Sequence, residues 1–242
     1  MRDWLTARPI AHRGLHDATA GVIENTAQAF QAAIDGGYAI ECDLQISADG
    51  EAMVHHDDVL GRLTDGQGRL DAMTAQALQR VAYKATAGHM LTLGELCDLT
   101  AGRSLLVIEL KGTFAGDDRL AARTANVLTG YRGPVAAMSF DPGLMAAVRG
   151  LAPKFPLGLV AMRRAPDSPA TATMSPLRYA RLALAARPQF LAYRVQDLTT
   201  PPPLLARRVL RMPMLTWTVR TPADRTQAAR YADQMIFEGF RP

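Results

Sequence analysis

Lysine is scarce in this chain: Lys84, Lys111 and Lys154 are the only lysines among 27 basic residues. Aromatic residues make up just 6%. No basic patch interleaved with aromatics appears and no known binding motif, so nucleic acid is not an expected partner. Cysteine occurs twice, at Cys42 and Cys97. Two thiols so far apart do not make a disulfide framework, and both are expected to be buried and free. No apolar run approaches the roughly 20 residues that span a bilayer. The opening residues 1–9 hold no apolar signal core. A cytoplasmic location is therefore expected. No tandem repeat with a period of roughly 20 to 50 residues is visible.

The 242 residues are 48% apolar, enough for a substantial core. The expectation is a single domain over 1–242, since α/β barrels commonly reach about 250 residues. Charge is uneven. Up to Pro142 there are 12 Lys/Arg against 18 Asp/Glu, and from Gly143 onward 15 against 5. A basic second half suits an anionic partner such as a phosphate ester or lipid headgroup, or is simply a solvated arginine-rich surface.

Strand-like and helix-like segments alternate. Strands are expected at 8–12, 38–46, 104–110, 134–140, 157–161, 189–195, 214–219 and 234–237. Helices are expected at 25–35, 74–82, 94–101, 118–129, 143–150, 175–186, 202–211 and 222–231. The extended piece 52–56 reads as a side hairpin, and residues 52–92 as an insertion rich in polar residues and glycine. The eight main strands are nearly continuous in apolar residues, as strands buried on both faces of a parallel sheet are. Eight strand–helix units at this length predict a TIM (β/α)8 barrel with a small insertion after the second strand.

Four of the five histidines lie between residues 10 and 57, together with several isolated acids. Residues two apart on a strand share a face. Glu41 and Asp43 therefore point together, as do Glu109 and Lys111, while Cys42 faces the helix layer. Carboxylates gathered in a dry interior repel one another and are costly to desolvate. Two resolutions are open: one divalent cation, Mg2+ or Ca2+, with oxygen ligands, or salt bridges to Lys111 and Arg13. Acids facing inward from two strands favour the cation. His12 and His56 end extended segments, and imidazoles beside a metal, Arg13 and Lys111 suit proton transfer on a phosphoester. His55 faces opposite to His56 and reads as structural. His16 and His89 have no partner visible in the sequence.

The chain resembles the glycerophosphodiester phosphodiesterase family. The resemblance is carried, in order, by Ile10-Ala-His-Arg-Gly14, Glu24-Asn-Thr26, Ile40-Glu-x-Asp43, Asp49-Gly50 and His56-Asp57 with Leu60-x-Arg62-x-Thr64. It continues through Leu91-Thr-Leu-x-Glu95-Leu96, Glu109-x-Lys111, Ser139-Phe-Asp141 and Trp217-Thr-Val219. It implies a TIM barrel that hydrolyses a glycerophosphodiester to glycerol 3-phosphate and an alcohol. Glu41, Asp43 and Glu109 would hold the metal, with His12 and His56 as the acid–base pair. Arg13 and Lys111 would bind phosphate, Trp217 would line the alcohol side, and Glu24 would support the metal or Arg13. The family route has a glycerol hydroxyl attack phosphorus to give a cyclic phosphate that water opens.

Three positions depart from the family pattern. Ile23 stands in place of proline, Arg220 in place of asparagine, and Phe237-Glu238-Gly-Phe-Arg-Pro242 in place of the closing Thr-Asp-x-Pro. They leave the chemistry intact and put substrate choice in question. One alternative is lysophospholipase D action on a lysophospholipid, and another is a non-catalytic phosphate-ester-binding protein. The 162–174 loop, with Met162, Arg163 and Arg164, is a candidate to contact anionic headgroups at a membrane surface or to close over the substrate, or is simply a solvated loop. The sequence leaves the oligomeric state open.

Overall fold

Each strand of the sheet sends alternate side chains to opposite sides, and this alternation builds two cores. The computed structural model describes residues 3–151, 153–163 and 176–242. The strands are β1 (Ile10–Ala11), β2 (Ala39–Ile46), β3 (Ala52–Val54), β4 (Leu106–Leu110), β5 (Val135–Ser139), β6 (Leu157–Ala161), β7 (Phe190–Arg194), β8 (Met214–Val219) and β9 (Gln234–Phe237). Eight of these pair in parallel in the order β1, β2, β4, β5, β6, β7, β8, β9, and β9 returns to β1. The sheet is therefore a closed barrel with no free edge along those strands. β3 runs antiparallel to β2, with Leu44 opposite Val54. It is the side hairpin that the sequence suggests.

Inside the barrel, Ile10, Ala39, Leu105, Val107, Ala136, Met138, Val160, Phe190, Ala192, Leu215 and Ile236 form one buried cluster. Leu5 and Trp4, from a short 3-10 turn at Asp3–Leu5, pack against it. Positions of the opposite parity, such as Ile40, Cys42, Leu44, Leu106 and Ile108, belong to a larger cluster shared with helix residues including Phe30, Leu93, Leu96 and Leu120. Cys42 and Cys97 are both buried and free.

The helices are α1 (Ala27–Asp35), α2 (Ala75–Gln79), α3 (Leu93–Thr100), α4 (Arg119–Gly130), α5 (Pro142–Gly150), α6 (Pro176–Ala186), α7 (Pro201–Arg208) and α8 (Pro222–Tyr231). Local chemistry sets several of their starts. Thr26 accepts from the Ala29 N–H to open α1. Thr92 and Glu95 form a reciprocal capping box for α3, and Thr221 with Asp224 does so for α8. Proline occupies the first turn of α5, α7 and α8, where a missing N–H costs nothing.

Between β3 and β4, Met53, Leu60, Leu70, Leu78 and Met90 make a third small core under the insertion. Three elements differ most from the sequence reading, and one of them, the helix expected at 74–82, covers only Ala75–Gln79. β1 has two ladder residues rather than five, and Arg13, at φ 57°, turns the chain away beyond its C-terminal end. The helix expected at 202–211 ends at Arg208, and Arg211 lies in the left-handed region at φ 53°.

Gly158 on β6 leaves room for the Phe190 ring, because a Cβ there would lie 2.3 Å from it. Gly158→Ala should overpack the barrel interior and destabilise the fold by about 1–3 kcal/mol. Urea unfolding would check this, and an unchanged midpoint would show that the interior absorbs the methyl group.

Candidate active site

The inward-facing parity of the barrel strands continues past its apolar layers at one end. Beyond Ile10 comes His12, and beyond Ala39 come Glu41 and Asp43. Beyond Val107 come Glu109 and Lys111, and beyond Met138 comes Phe140. On the other side Val160, Ala192 and Leu215 lead to Met162, Arg194 and Trp217. All of these except Asp43 line one cavity of about 410 Å3, shared with Arg13, His56, Gln196, Thr218 and Arg220. The cavity lies at the C-terminal ends of the strands, the face on which barrel enzymes build their sites.

Glu41, Asp43 and Glu109 place carboxylate oxygens within 4.8 Å of one another, all buried. Asp43 lies directly across the ladder from Glu109. Lys111 Nζ sits 2.7 Å from Asp43 Oδ1 and 2.6 Å from Glu109 Oε1. Arg13 Nε is 3.2 Å from Asp43 Oδ2, and Asn25 Nδ2 donates to the same oxygen at 2.9 Å. Burial alone would raise the Asp43 carboxyl, but Lys111 and Arg13 hold it well below its ordinary value. Burial would likewise lower Lys111, yet Glu109 and Asp43 raise its ammonium pKa.

Glu41 is different. It has no Lys or Arg side chain as an ion-pair partner among the described residues. It accepts the Arg13 backbone N–H at 2.9 Å and lies 4.0 Å from His12 Nε2. Burial first, then the charges of Asp43 and Glu109, push its carboxyl well above the ordinary value. Salt bridging thus neutralises part of the cluster and leaves one buried carboxylate uncompensated. An all-oxygen donor set with surplus negative charge fits a hard divalent cation.

The backbone here is shaped for these contacts. Arg13 and Asn25 both take φ 57°, a region that asparagine tolerates better than most residues. Gly14 follows at φ 78°, and a Cβ on it would lie 2.8 Å from the Ala29 carbonyl carbon. The His-Arg-Gly run is therefore tied to the close approach of α1.

Each of the two cavity histidines is held by a carboxylate through Nδ1. His12 Nδ1 is 2.5 Å from Glu238 Oε2. His56 Nδ1 is 2.8 Å from Asp57 Oδ1. With Nδ1–H donating, Nε2 of each ring presents its lone pair. Burial lowers the His12 pKa, against the opposing pull of Glu238. Glu238 Oε1 accepts from Arg220 Nε at 2.7 Å. Arg62 Nε donates to Asp57 Oδ2 at 2.6 Å, and its Nη2 donates to Glu24 Oε1 at 2.7 Å. Glu24 Oε1 also accepts from Arg13 Nη1 at 2.7 Å. Burial would raise Asp57, but hydrogen bonds from Arg62 and His56 pull it down to about 2. Burial would raise Glu24 too, and Arg62 and Arg13 outweigh it.

The structure therefore brings together His12, Arg13, Glu41, Asp43, His56, Glu109, Lys111 and Trp217. Glu24 stands behind them, touching Arg13 and Arg62 rather than the acid cluster. His55 is buried, only 2% exposed. The structure adds neighbours that the sequence did not reveal for two histidines. His16 Nε2 lies 3.9 Å from Glu238 Oε2, a charge contact rather than a hydrogen bond. His89 Nε2 is 3.1 Å from Glu95 Oε1. Sequence reasoning missed the contacts of Asn25, Arg62 and Glu238, and the place of Arg194. Strand parity was the available signal for Glu238, two residues beyond inward Ile236, and for Arg194, two beyond Ala192. Of the 162–174 loop, Met162 lines the cavity and the Arg163 N–H donates to Asp197 Oδ2 at 3.0 Å. Arg164 and the rest of that loop lie outside the described residues. No helix among the described residues is long and apolar enough to cross a membrane.

A family model described as the glycerophosphoryl diester phosphodiesterase family matches residues 12–240. A glycerophosphodiester phosphodiesterase of Caldanaerobacter subterraneus is 29% identical over 161 residues, which is 62% of this chain and 65% of that protein. Glycerophosphodiester phosphodiesterase 1 of Bos taurus is 41% identical over 92 residues, 37% of this chain and 25% of its own length. The match thus spans less than two thirds of either relative. A solved Oleispira antarctica phosphodiesterase in complex with the product sn-glycerol-3-phosphate shares the fold. Its TM-score is 0.77 at 19% identity, over 97% of this chain and 94% of that one.

Two measurements test this electrostatic picture. A divalent cation at about a hundredfold excess over its Kd should stabilise the protein by about 2.7 kcal/mol, or about 5–10 °C in Tm. Glu41→Gln should remove most of that rise, and an equal shift in both proteins would place the ion elsewhere. Asp57, lowered from 3.8 to about 2, adds stability that is fully present above pH 3.8 and is lost as pH falls through about 2. The urea stabilities of wild type and Asp57→Asn should therefore converge across that window. Parallel curves would show that Arg62 does not hold Asp57 in this way.

Proposed function

The chain belongs to the glycerophosphoryl diester phosphodiesterase family, and on that premise we propose that it hydrolyses glycerophosphodiesters to glycerol 3-phosphate and an alcohol. The observation that carries this reading is the pairing of two histidines with a cluster of three buried acids, two of which line the same cavity as the histidines. Both imidazoles are aligned by carboxylates at Nδ1, with Nε2 left for proton transfer. Glu41, Asp43 and Glu109 are the residues that would hold Mg2+ or Ca2+. Such an ion, when bound, polarises the phosphoryl group and offsets its developing charge.

Arg13 and Lys111 bind phosphoryl oxygens in this reading. His12, kept neutral by burial, takes the proton of the neighbouring glycerol hydroxyl as its oxygen bonds to phosphorus. His56, protonated, gives its proton to the alcohol oxygen as the second phosphorus–oxygen bond breaks. The products of this half are the free alcohol and a cyclic glycerol phosphate. The histidines then exchange roles. His56 takes a proton from the attacking water, and His12 returns one to the glycerol oxygen as the ring opens. Glu238 and Asp57 steady the imidazoliums formed in turn. Trp217 and Phe140, edge to face at 5.4 Å, wall the alcohol side.

Phosphorus NMR of products from a panel of glycerophosphodiesters and lysophospholipids tests the proposal. Turnover should disappear with a chelator and return with the divalent cation. His12→Ala and His56→Ala should each lower kcat by about 100- to 10,000-fold. Chelator-insensitive turnover, or full activity in either variant, would overturn it. Cyclic lysophosphatidate among the products would move the assignment to a lysophospholipase D.

A further inference from the structure

The cavity has two electrostatically distinct sides. On the side of β1, β2 and β4, the cations Arg13 and Lys111 are already engaged by Asp43, Glu24 and Glu109. On the side of β7 and β8, Arg194 and Arg220 line the same space. Arg194 pairs with no acid among the described residues, and its Nε donates to Gln196 Oε1 at 3.0 Å. The acid nearest to it along the chain, Asp197, accepts the Arg163 N–H. Arg220 meets Glu238 through Nε alone, and Glu238 also serves His12. Among the described residues its Nη atoms donate no hydrogen bond. Two guanidiniums thus face the cavity with donors to spare, in a position where the family usually offers a neutral asparagine at residue 220.

We propose that Arg194 and Arg220 form an anion subsite that selects diesters whose leaving alcohol carries a second negative group, a carboxylate or a phosphate. This rests on the hydrolytic reading above. Apart from the diester phosphate, the glycerol half carries only hydroxyls, so a further charge can belong only to the alcohol half. Guanidinium matches carboxylate and phosphate through paired N–H donors. A quaternary ammonium is instead recognised by open aromatic faces. Here Trp217 is packed edge to face on Phe140, and its Nε1 donates to Ala192 O at 3.1 Å. A cationic headgroup would meet two like charges on this side.

A matched series isolates the charge: glycerophosphoglycerol, its analogue ending in a phosphate, and the analogue with glycerate as alcohol. Wild type should favour the charged members over glycerophosphoglycerol by about tenfold in kcat/KM, mainly through KM. Whichever charged member leads identifies the anion. Arg194→Gln should reduce the preference to about twofold, Arg194→Lys should restore part of it, and high salt should shrink it. A preference under about twofold in wild type, or one untouched by Arg194→Gln, overturns the subsite. If wild type cleaves none of the three, the hydrolytic reading fails instead. Equilibrium binding of the same diesters to His56→Ala then decides the subsite. About tenfold tighter binding of a charged member supports it, and equal affinity overturns it.

Discussion

Three carboxylates confined within 4.8 Å at the mouth of a closed barrel must be neutralised, and much of the surrounding structure serves that need. Starting from Glu109, charges alternate through Lys111, Asp43, Arg13, Glu24, Arg62 and Asp57 to His56. This ladder joins β4, β2, the turn after β1 and the insertion after β3. The insertion is thereby fastened to the barrel by Arg62, which bridges Glu24 and Asp57. Removing Lys111 would leave Glu109 a buried carboxylate with no ion-pair partner among the described residues, which is costlier than the pair is worth intact. Glu41 is the member left over, and its uncompensated charge is the physical reason that the site suits a cation.

The two histidines meet the acid cluster from different parts of the fold. His12 comes from the end of β1 and is braced by Glu238 from just beyond β9, the neighbouring strand. His56 comes from the hairpin after β2 and is braced by its own neighbour Asp57. Arg220 and Glu238, both departures from the family pattern, turn out to be one ion pair. They are better understood as a joint change than as two separate losses. Their pairing keeps a carboxylate on His12 while adding a guanidinium to the cavity wall. The acidic first half of the chain thus supplies the histidine- and carboxylate-bearing side of the cavity. Two of the arginines in the basic second half, Arg194 and Arg220, line the opposite side.

Much of the barrel was legible because the same alternation appears in sequence and in space. Glu41 and Asp43 share a face for the reason that Ala39 does, and Cys42 joins the helix layer for the reason that Ile40 and Leu44 do. The side hairpin at 52–56 was recognisable from the turn before it and the polar stretch after it. Other features were invisible. His16 finds Glu238 across more than two hundred residues, and no local pattern foretells that meeting. Arg62 could be noticed as part of a motif, but its dual grip on Glu24 and Asp57 depends on how the insertion folds back.

By itself the sequence determined the order of strands and helices, the parity of each strand and the ends of several helices. These follow from interactions between residues a few positions apart: side-chain alternation, capping by Thr26, Thr92 and Thr221, and the left-handed turns at glycines. Only the tertiary structure decided which acid pairs with which base, which imidazole nitrogen is left free, and which carboxylate stays uncompensated. Those outcomes depend on distances across the closed barrel and on the removal of water from between the groups. Coulombic interactions and desolvation act through space rather than along the chain.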